Sequence, residues 1–346
     1  MNLANASRSL AAVICAGLFA CAGGSSNGDE SVTTQSLDAG GATALDAGQT
    51  NSSDTAPKYG GTFHFTGPGP GFGGGNCTAT HTPVIFIHGN TNDASAWLKP
   101  SSTGGPSVVQ TFQAAGYNAC ELFGLSYLTP AQMLAPNLNY HDETKADLVR
   151  SFIAAVLAYT GKTQVDLVGH SMGVTVGLHA LEAQGESAVL RRFIAVAGGM
   201  HGLDSCLLVG NANPAWAACG SQNFFDSQIF GFYPTSNPRM QSGGFRARPA
   251  SITGARFYTI WAGQSDEILC AAGTSGCSTA LFDSRSNVIA QLDVGVGHPL
   301  QGNDDDTSGV GHFRARSDQG PLMVKMLTTT CAGAACCSGT TGHCAQ

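Results

Sequence analysis

The stretch Gln164-Val165-Asp166-Leu167-Val168-Gly169-His170-Ser171-Met172-Gly173-Val174 leads into a helix-like segment ending at Gln184. Gln164 to Val168 is a short apolar run with the character of a buried strand, whereas Val174, Leu178 and Leu181 recur at the spacing of one helix face. Between them stands Gly-x-Ser-x-Gly. A chain that turns from a buried strand into a helix within so few residues leaves no room for side chains two positions either side of the serine. The hydroxyl of Ser171 is thereby pushed out above the sheet, as in the nucleophile elbow of serine-dependent hydrolysis. A plain glycine-rich turn would not require the strand before it and the helix after it.

Outward from this point, strand-like and helix-like segments alternate, the pattern of parallel strands joined by crossover helices. Strands are expected at Pro83 to Ile87, Ala119 to Leu125, Gln164 to Val168, Arg192 to Val196, Arg256 to Trp261 and Val288 to Val294. Their runs of Val, Ile, Leu and Phe suit strands buried on both faces. The clearest helix is His141 to Tyr159, with Ala146, Val149, Ile153, Val156 and Leu157 on one face. Met200 to Ala250 breaks the alternation and carries Trp216, Phe224, Phe225, Phe230, Phe232, Tyr233 and Phe245, so it reads as an inserted cap over about residues 200–250. Its rings either meet an apolar substrate or pack the cap onto the sheet. The fold class is α/β, a mostly parallel sheet flanked by helices.

A serine hydroxyl needs a histidine to accept its proton and an acid to orient that histidine, in the chain order Ser, Asp or Glu, His when the elbow is of this kind. Asp266 follows the strand ending at Trp261 and is the expected acid, with Glu267 the fallback; Asp283, Asp293 and Asp304 to Asp306 are less well placed. Two histidines compete for the base, His298 and His312. His312 is preferred because the apolar segment Gly320 to Thr329 behind it has the character of a terminal helix, whereas His298 runs into Pro299 and a polar loop. His170 reads as a structural residue of the elbow. The oxyanion of the tetrahedral intermediate calls for backbone N–H donors, expected at Met172 and at Asn90 in the loop after the strand Val84 to Ile87.

Composition narrows the rest. The 346 residues are 42% hydrophobic and only 11% charged, with a net charge of −7 and no basic run, which excludes a nucleic-acid surface. Arg8 followed by the apolar Leu10 to Ala20 reads as a signal peptide over residues 1–21, and Leu18-Phe19-Ala20-Cys21 as a lipobox placing a lipid anchor on Cys21; an ordinary signal peptide cleaved after Ala20 or Ala22 is the alternative. Residues 22–58 are polar and small and read as a flexible tether before one catalytic domain, residues 59–346. The expected location is extracellular or on the outer cell surface, as a monomer.

Beyond the leader stand ten cysteines, an even number that points to disulfides in an exported chain. Short spacings suggest Cys206 with Cys219, Cys270 with Cys277, and two closures in the tail. Zinc-type spacings do not occur, and neither a metal nor a cofactor is expected.

Several of these stretches resemble the bacterial class 2 lipases and, more closely, the lipase-like extracellular poly(3-hydroxybutyrate) depolymerases. The likeness is carried by Thr82 to Asn90, Ala158 to Lys162, His170 to Val174, Cys219 to Asn223, Gly309 to Arg314 and Leu327 to Cys331, and spans about Thr82 to Cys336. It implies an α/β-hydrolase fold, a Ser171, Asp266, His312 triad, Asn90 and Met172 at the oxyanion hole, and an ester substrate, either polyester or lipid. Gly169 stands where the depolymerase type carries alanine. A binding lipoprotein that kept the fold without catalysis is the reading from another class.

Overall fold

The computed structural model describes residues 57–182, 186–203, 206, 214–219, 252, 254–270, 279–282, 284–299, 301, 307–337 and 344. The expected leader, Cys21, the tether up to residue 56, most of the expected cap, Cys277, Asp283 and Asp304 to Asp306 lie outside them.

Strands β1 (Tyr59–Gly61) and β2 (Gly73–Gly75) form a small parallel pair at the start. The Gly67 to Gly75 entry segment therefore contains a strand that its composition, devoid of any apolar period, does not announce. The main sheet comprises β3 (Val84–Ile87), β4 (Leu122–Leu125), β5 (Val165–His170), β6 (Leu190–Val196), β7 (Arg256–Trp261) and β8 (Val288–Asp293). All six run parallel in the order β4-β3-β5-β6-β7-β8. Each matches one of the six expected segments, with ends shifted by a few residues. The order reverses between β3 and β5, and ligands of such sheets bind beyond the carboxyl ends of the strands at that switch. Ser171 follows the end of β5.

The helices are α1 (Val108–Ala114), α2 (Pro130–Met133), α3 (Glu143–Thr160), α4 (Met172–Glu182), α5 (Arg314–Ser317) and α6 (Gly320–Thr328). Because successive strand residues point to opposite faces, the sheet feeds two cores. Ile85, Ile87, Phe123, Leu167 and Phe193 pack with Val149, Phe152 and Ile153 of α3 and Val174 and Leu178 of α4. Val84, Phe86, Val168, Ile194, Tyr258 and Ile260 pack with Phe112 of α1 and Leu322, Met323 and Met326 of α6. Burial of each such side chain contributes about 1.5–3 kcal/mol, which explains why the strands are apolar on both faces. This two-faced covering is the expected α/β fold, a parallel sheet flanked by helices.

Local chemistry sets the helix ends. The Asp142 side chain accepts the N–H of Lys145 at 3.1 Å, so α3 begins at Glu143, two residues later than the apolar pattern predicts, and Gly161 ends it in the left-handed region at φ 64°. Arg191 on β6 donates to the buried Asp166 on β5 and to the carbonyl of Leu327, and Arg192 donates to the carbonyl of Met326. These arginines satisfy carbonyls at the end of α6 and tie that helix to the sheet. Disulfides join Cys77 to Cys120, Cys206 to Cys219, Cys331 to Cys336 and Cys337 to Cys344. Cys270 is also disulfide-bonded.

Near the first of these bridges the buried Glu121 gathers donors from separate segments. Its carboxylate accepts from the Thr80 hydroxyl at 2.8 Å, the His81 N–H at 2.7 Å and the Asn118 N–H at 2.9 Å, with His81 Nδ1 3.0 Å away. Burial alone would raise its pKa, but the hydrogen bonds of Asn118, His81 and Thr80 outweigh it and hold the carboxyl down at about 2. A carboxyl depressed in the folded state contributes stability above its unfolded pKa, and that stability is lost as pH falls through the folded value. Glu121→Gln should therefore destabilise the protein fully above about pH 5, with the difference from wild type shrinking toward pH 2. Urea unfolding of both proteins across that range measures it; a pH-independent difference would contradict the assignment.

Candidate active site

The turn after β5 is built by exclusion of side chains. Ser171 sits at φ 54°, a left-handed conformation that costs a residue other than glycine about 1–3 kcal/mol, and its N–H is held by the carbonyl of Val196 at 2.8 Å. A Cβ on Gly173 would lie 2.3 Å from the His88 carbonyl oxygen and 2.5 Å from that of Ile87, and one on Gly169 would lie 2.9 Å from the backbone of Val174. Only glycine lets α4 approach the ends of β3 and β5 this closely. Because α4 starts at Met172, its first N–H groups have no carbonyl one turn earlier within the helix; that of Val174 bonds the Ser171 carbonyl at 3.0 Å, and that of Met172 directly follows Ser171.

Asp266 lies beyond β7, after the short turn Gly263–Ser265, and is fully buried. Its Oδ1 accepts the N–H groups of Ile268 at 3.0 Å and Leu269 at 2.8 Å, and both carboxylate oxygens stand 3.0 Å from His312 Nδ1. The carboxylate can only accept, so Nδ1 carries the proton and Nε2 keeps a lone pair for a proton from elsewhere. Burial by itself would lower the His312 pKa; the charge and hydrogen bond of Asp266 outweigh it, with a contribution from Glu267, and the pKa is raised.

His170 Nε2 donates to the His312 carbonyl at 3.1 Å, and the two rings are 4.7 Å apart. The residue preceding Ser171 is thus bonded to the residue expected as base. No hydrogen bond joins the Ser171 hydroxyl to the His312 imidazole among the described residues, a contact that in free enzymes is commonly long and tightens in the substrate complex. His298 stands elsewhere in the β8 to α5 connection, where its carbonyl accepts from the Ser265 hydroxyl at 3.1 Å. Glu267, the fallback acid, reaches the backbone of His312 instead: its Oε2 accepts the His312 N–H at 3.1 Å.

The loop after β3 presses on Ser171. A Cβ on Gly89 would lie 2.9 Å from the Ser171 Cβ. Asn90 follows, and its side chain is turned to structural use: Nδ2 donates to the Pro136 carbonyl at 2.8 Å, while Oδ1 accepts from Thr91 N at 3.0 Å and Asn139 Nδ2 at 2.8 Å. An oxyanion contribution from Asn90 would therefore come from its backbone. His88 fixes the loop from below: Nδ1 donates to the Gly89 carbonyl at 2.8 Å, Nε2 accepts from Tyr127 N at 3.2 Å, and the ring stacks on Tyr127 at 4.2 Å. Burial pushes its pKa down to about 4, so it stays neutral.

The structure thus gathers Ser171, Met172, Gly89, Asn90, Asp266 and His312 at the carboxyl end of the sheet. The bonds of His88 and Glu267 have no signal in the sequence, since each depends on a neighbour brought from another segment; His170 is structural, as expected, and only its partner, the His312 carbonyl, was not legible. Of the segment expected as a cap, the turn Pro214–Cys219 is described, and its Ala215 carbonyl accepts from Asn137 Nδ2 at 2.7 Å. This sets Pro214–Cys219 beside Pro136–Leu138, the turn that Asn90 holds, in the stretch where Leu134 and Leu138 are 87% and 49% exposed.

Residues 81–231 match the model of the class 2 lipase family. The match covers 151 of the 346 residues, less than half of the chain, and is a likeness to that family. Among solved structures, the propeptide form of the Bacillus licheniformis lipase BlEst2 is similar at 14% identity over 76% of this chain and 54% of that one, with a TM-score of 0.48. Aspergillus fumigatus lipase B is similar at 18% identity over 74% of this chain and 54% of its own, also with a TM-score of 0.48. Phospholipase PlaB from Legionella pneumophila is similar at 12% identity over 73% and 60% of the two chains, with a TM-score of 0.40. The chain thus spans 54% of the length of the first two. No curated protein matches it in sequence.

The elbow makes a packing prediction. Gly173→Ala drives its methyl into two backbone carbonyls and should cost about 1–3 kcal/mol in urea unfolding with an unchanged m-value. Gly177→Ala, one turn further along α4, meets only the movable side-chain ends of Ile87 at 3.1 Å and Phe193 at 3.3 Å and should cost less. Equal costs would show that the elbow backbone is not the constraint.

Proposed function

We propose that this protein is an exported serine hydrolase that cleaves carboxylic esters through an acyl-enzyme on Ser171. The observation that carries the reading is the buried Asp266 and His312 pair set behind a strained Gly-x-Ser-x-Gly turn. His312 Nε2 takes the Ser171 proton as Oγ attacks the ester carbonyl, and returns it to the departing alkoxide so that an alcohol leaves. Water then attacks the acyl-enzyme by the same route, releasing a carboxylic acid and restoring Ser171. Asp266 holds the imidazole by Nδ1 and stabilises the imidazolium, while the N–H groups of Met172 and Asn90 meet the oxyanion, each donor contributing about 2.7–4 kcal/mol. These steps draw on protein groups and water only.

For the substrate, poly(3-hydroxybutyrate) or a related polyester is the first reading, supported by the sequence stretches that resemble the lipase-like depolymerases. A triacylglycerol is the second, favoured by the class 2 lipase match. Exposed Leu134 and Leu138, in the stretch that bonds Pro214–Cys219, suit an apolar acyl chain in either case. The reading includes a lipid anchor on Cys21 and a monomeric catalytic domain.

A fluorophosphonate probe should label the wild type and not Ser171→Ala, and Asp266→Asn should lower kcat by about four orders of magnitude. Absence of labelling in the wild type would favour a non-catalytic binder. Because the free imidazole is the base, kcat/KM should fall as pH drops below the His312 pKa, with the acid limb lying above the ordinary imidazole value of 6.5. Clearing of an amorphous hydroxybutyrate suspension, compared with fatty-acid release from an emulsified triglyceride, decides between the substrates. Faster fatty-acid release would overturn the polyester reading.

A further inference from the structure

We propose that Glu267 is a positioning residue that serves His312 as a second carboxylate, holding its backbone in place and stabilising its charged form alongside Asp266. The inference rests on the reading of His312 as general base. Asp266 and Glu267 are consecutive, yet they grip the same histidine from two sides: Asp266 takes the ring at Nδ1, and Glu267 Oε2 takes the main-chain N–H at 3.1 Å. Ring and backbone are then fixed independently.

Two further observations show a position built for this carboxylate. A Cβ on Gly311, the residue before His312, would lie 2.2 Å from Glu267 Oε2, so the glycine leaves the space that the carboxylate occupies. Glu267 Oε1 is buried with no hydrogen-bond partner among the described residues. A buried oxygen without a donor is costly, most of all on a charged group, and a purely structural clamp would be served as well by a neutral amide. What offsets the burial of a charge here is a cation that appears beside it when His312 is protonated.

The groups facing the imidazole are Asp266 and Glu267, which favour its protonation, Arg316, which opposes it, and His170, whose own pKa is lowered by burial and by the charge of His312. His88 acts in turn on His170, and Asp93 and Arg316 act on His88. Burial pushes the Glu267 carboxyl up and the charge of His312 draws it back down, so the two groups favour each other's charged form. In catalysis this supports the imidazolium that forms when Ser171 gives up its proton.

Charge and backbone grip are separable by substitution. Glu267→Gln keeps an oxygen acceptor for the His312 N–H and removes the charge; Glu267→Ala removes both. In Glu267→Gln the His312 midpoint, followed by NMR of 15N-histidine-labelled protein and assigned with His312→Gln, should fall by at least about 0.5 unit, and the acid limb of kcat/KM should move to lower pH with it. Glu267→Ala should lose roughly tenfold or more in kcat with little change in KM, the scale of one charge-assisted hydrogen bond, and Glu267→Gln should recover most of that loss above the acid limb.

An unchanged His312 midpoint in both folded variants overturns the proposal, as does a Glu267→Gln variant no more active than Glu267→Ala. The NMR titration needs no turnover. A wild type that hydrolyses no ester would therefore overturn the serine-hydrolase reading, while the midpoint still decides whether Glu267 acts on the imidazole.

Discussion

The close approach of α4 to the ends of β3 and β5 is the constraint on which the rest of the site depends. Carbonyls of Ile87 and His88 stand where a side chain on residue 173 would be, and Val174 stands where one on residue 169 would be. Two glycines make that approach possible, and it forces Ser171 into the left-handed region. The strain is held by the N–H of Ser171 on the Val196 carbonyl and by the burial of α4 along its length. A looser turn would let the serine relax and would draw its hydroxyl back among the strand ends.

Around this point the molecule spends its buried histidines as scaffold. His88 braces the loop that reaches Asn90, and His170 bonds the carbonyl of His312. Both are buried and their pKa values are lowered, so they stay neutral and donate or accept in one fixed sense. His312 is equally buried but faces two carboxylates, and its pKa moves the other way. Three imidazoles in one neighbourhood are thus separated in role by which neighbours they meet, not by how deep they lie.

The scaffold extends outward through asparagines. Asn139 and the Pro136 carbonyl hold the side chain of Asn90, and Asn137 reaches the Ala215 carbonyl. The loop expected to stabilise the oxyanion is therefore braced by the segment that carries exposed Leu134 and Leu138 and bonds Pro214–Cys219. The loop beside Ser171 and the apolar surface next to it share one set of hydrogen bonds.

Local pattern alone determined the six strands, the long helix, the elbow and the choice of Asp266 and His312 as candidates. Each is written in residues close in sequence: apolar runs for two-faced strands, 3.6-residue spacing for α3, a glycine pair around one serine. The strand β2 escaped because glycine carries no hydrophobic period, and α3 begins late because Asp142 caps it. Tertiary structure decided what spacing cannot express. It brought Asp266 to the His312 ring, aimed Glu267 at the His312 backbone, left His298 holding Ser265, and turned the Asn90 side chain to bracing. The physical reason is that each of these rests on a distance between segments far apart in the chain, and such distances exist only once the sheet has set the ends of β3, β5, β7 and β8 side by side.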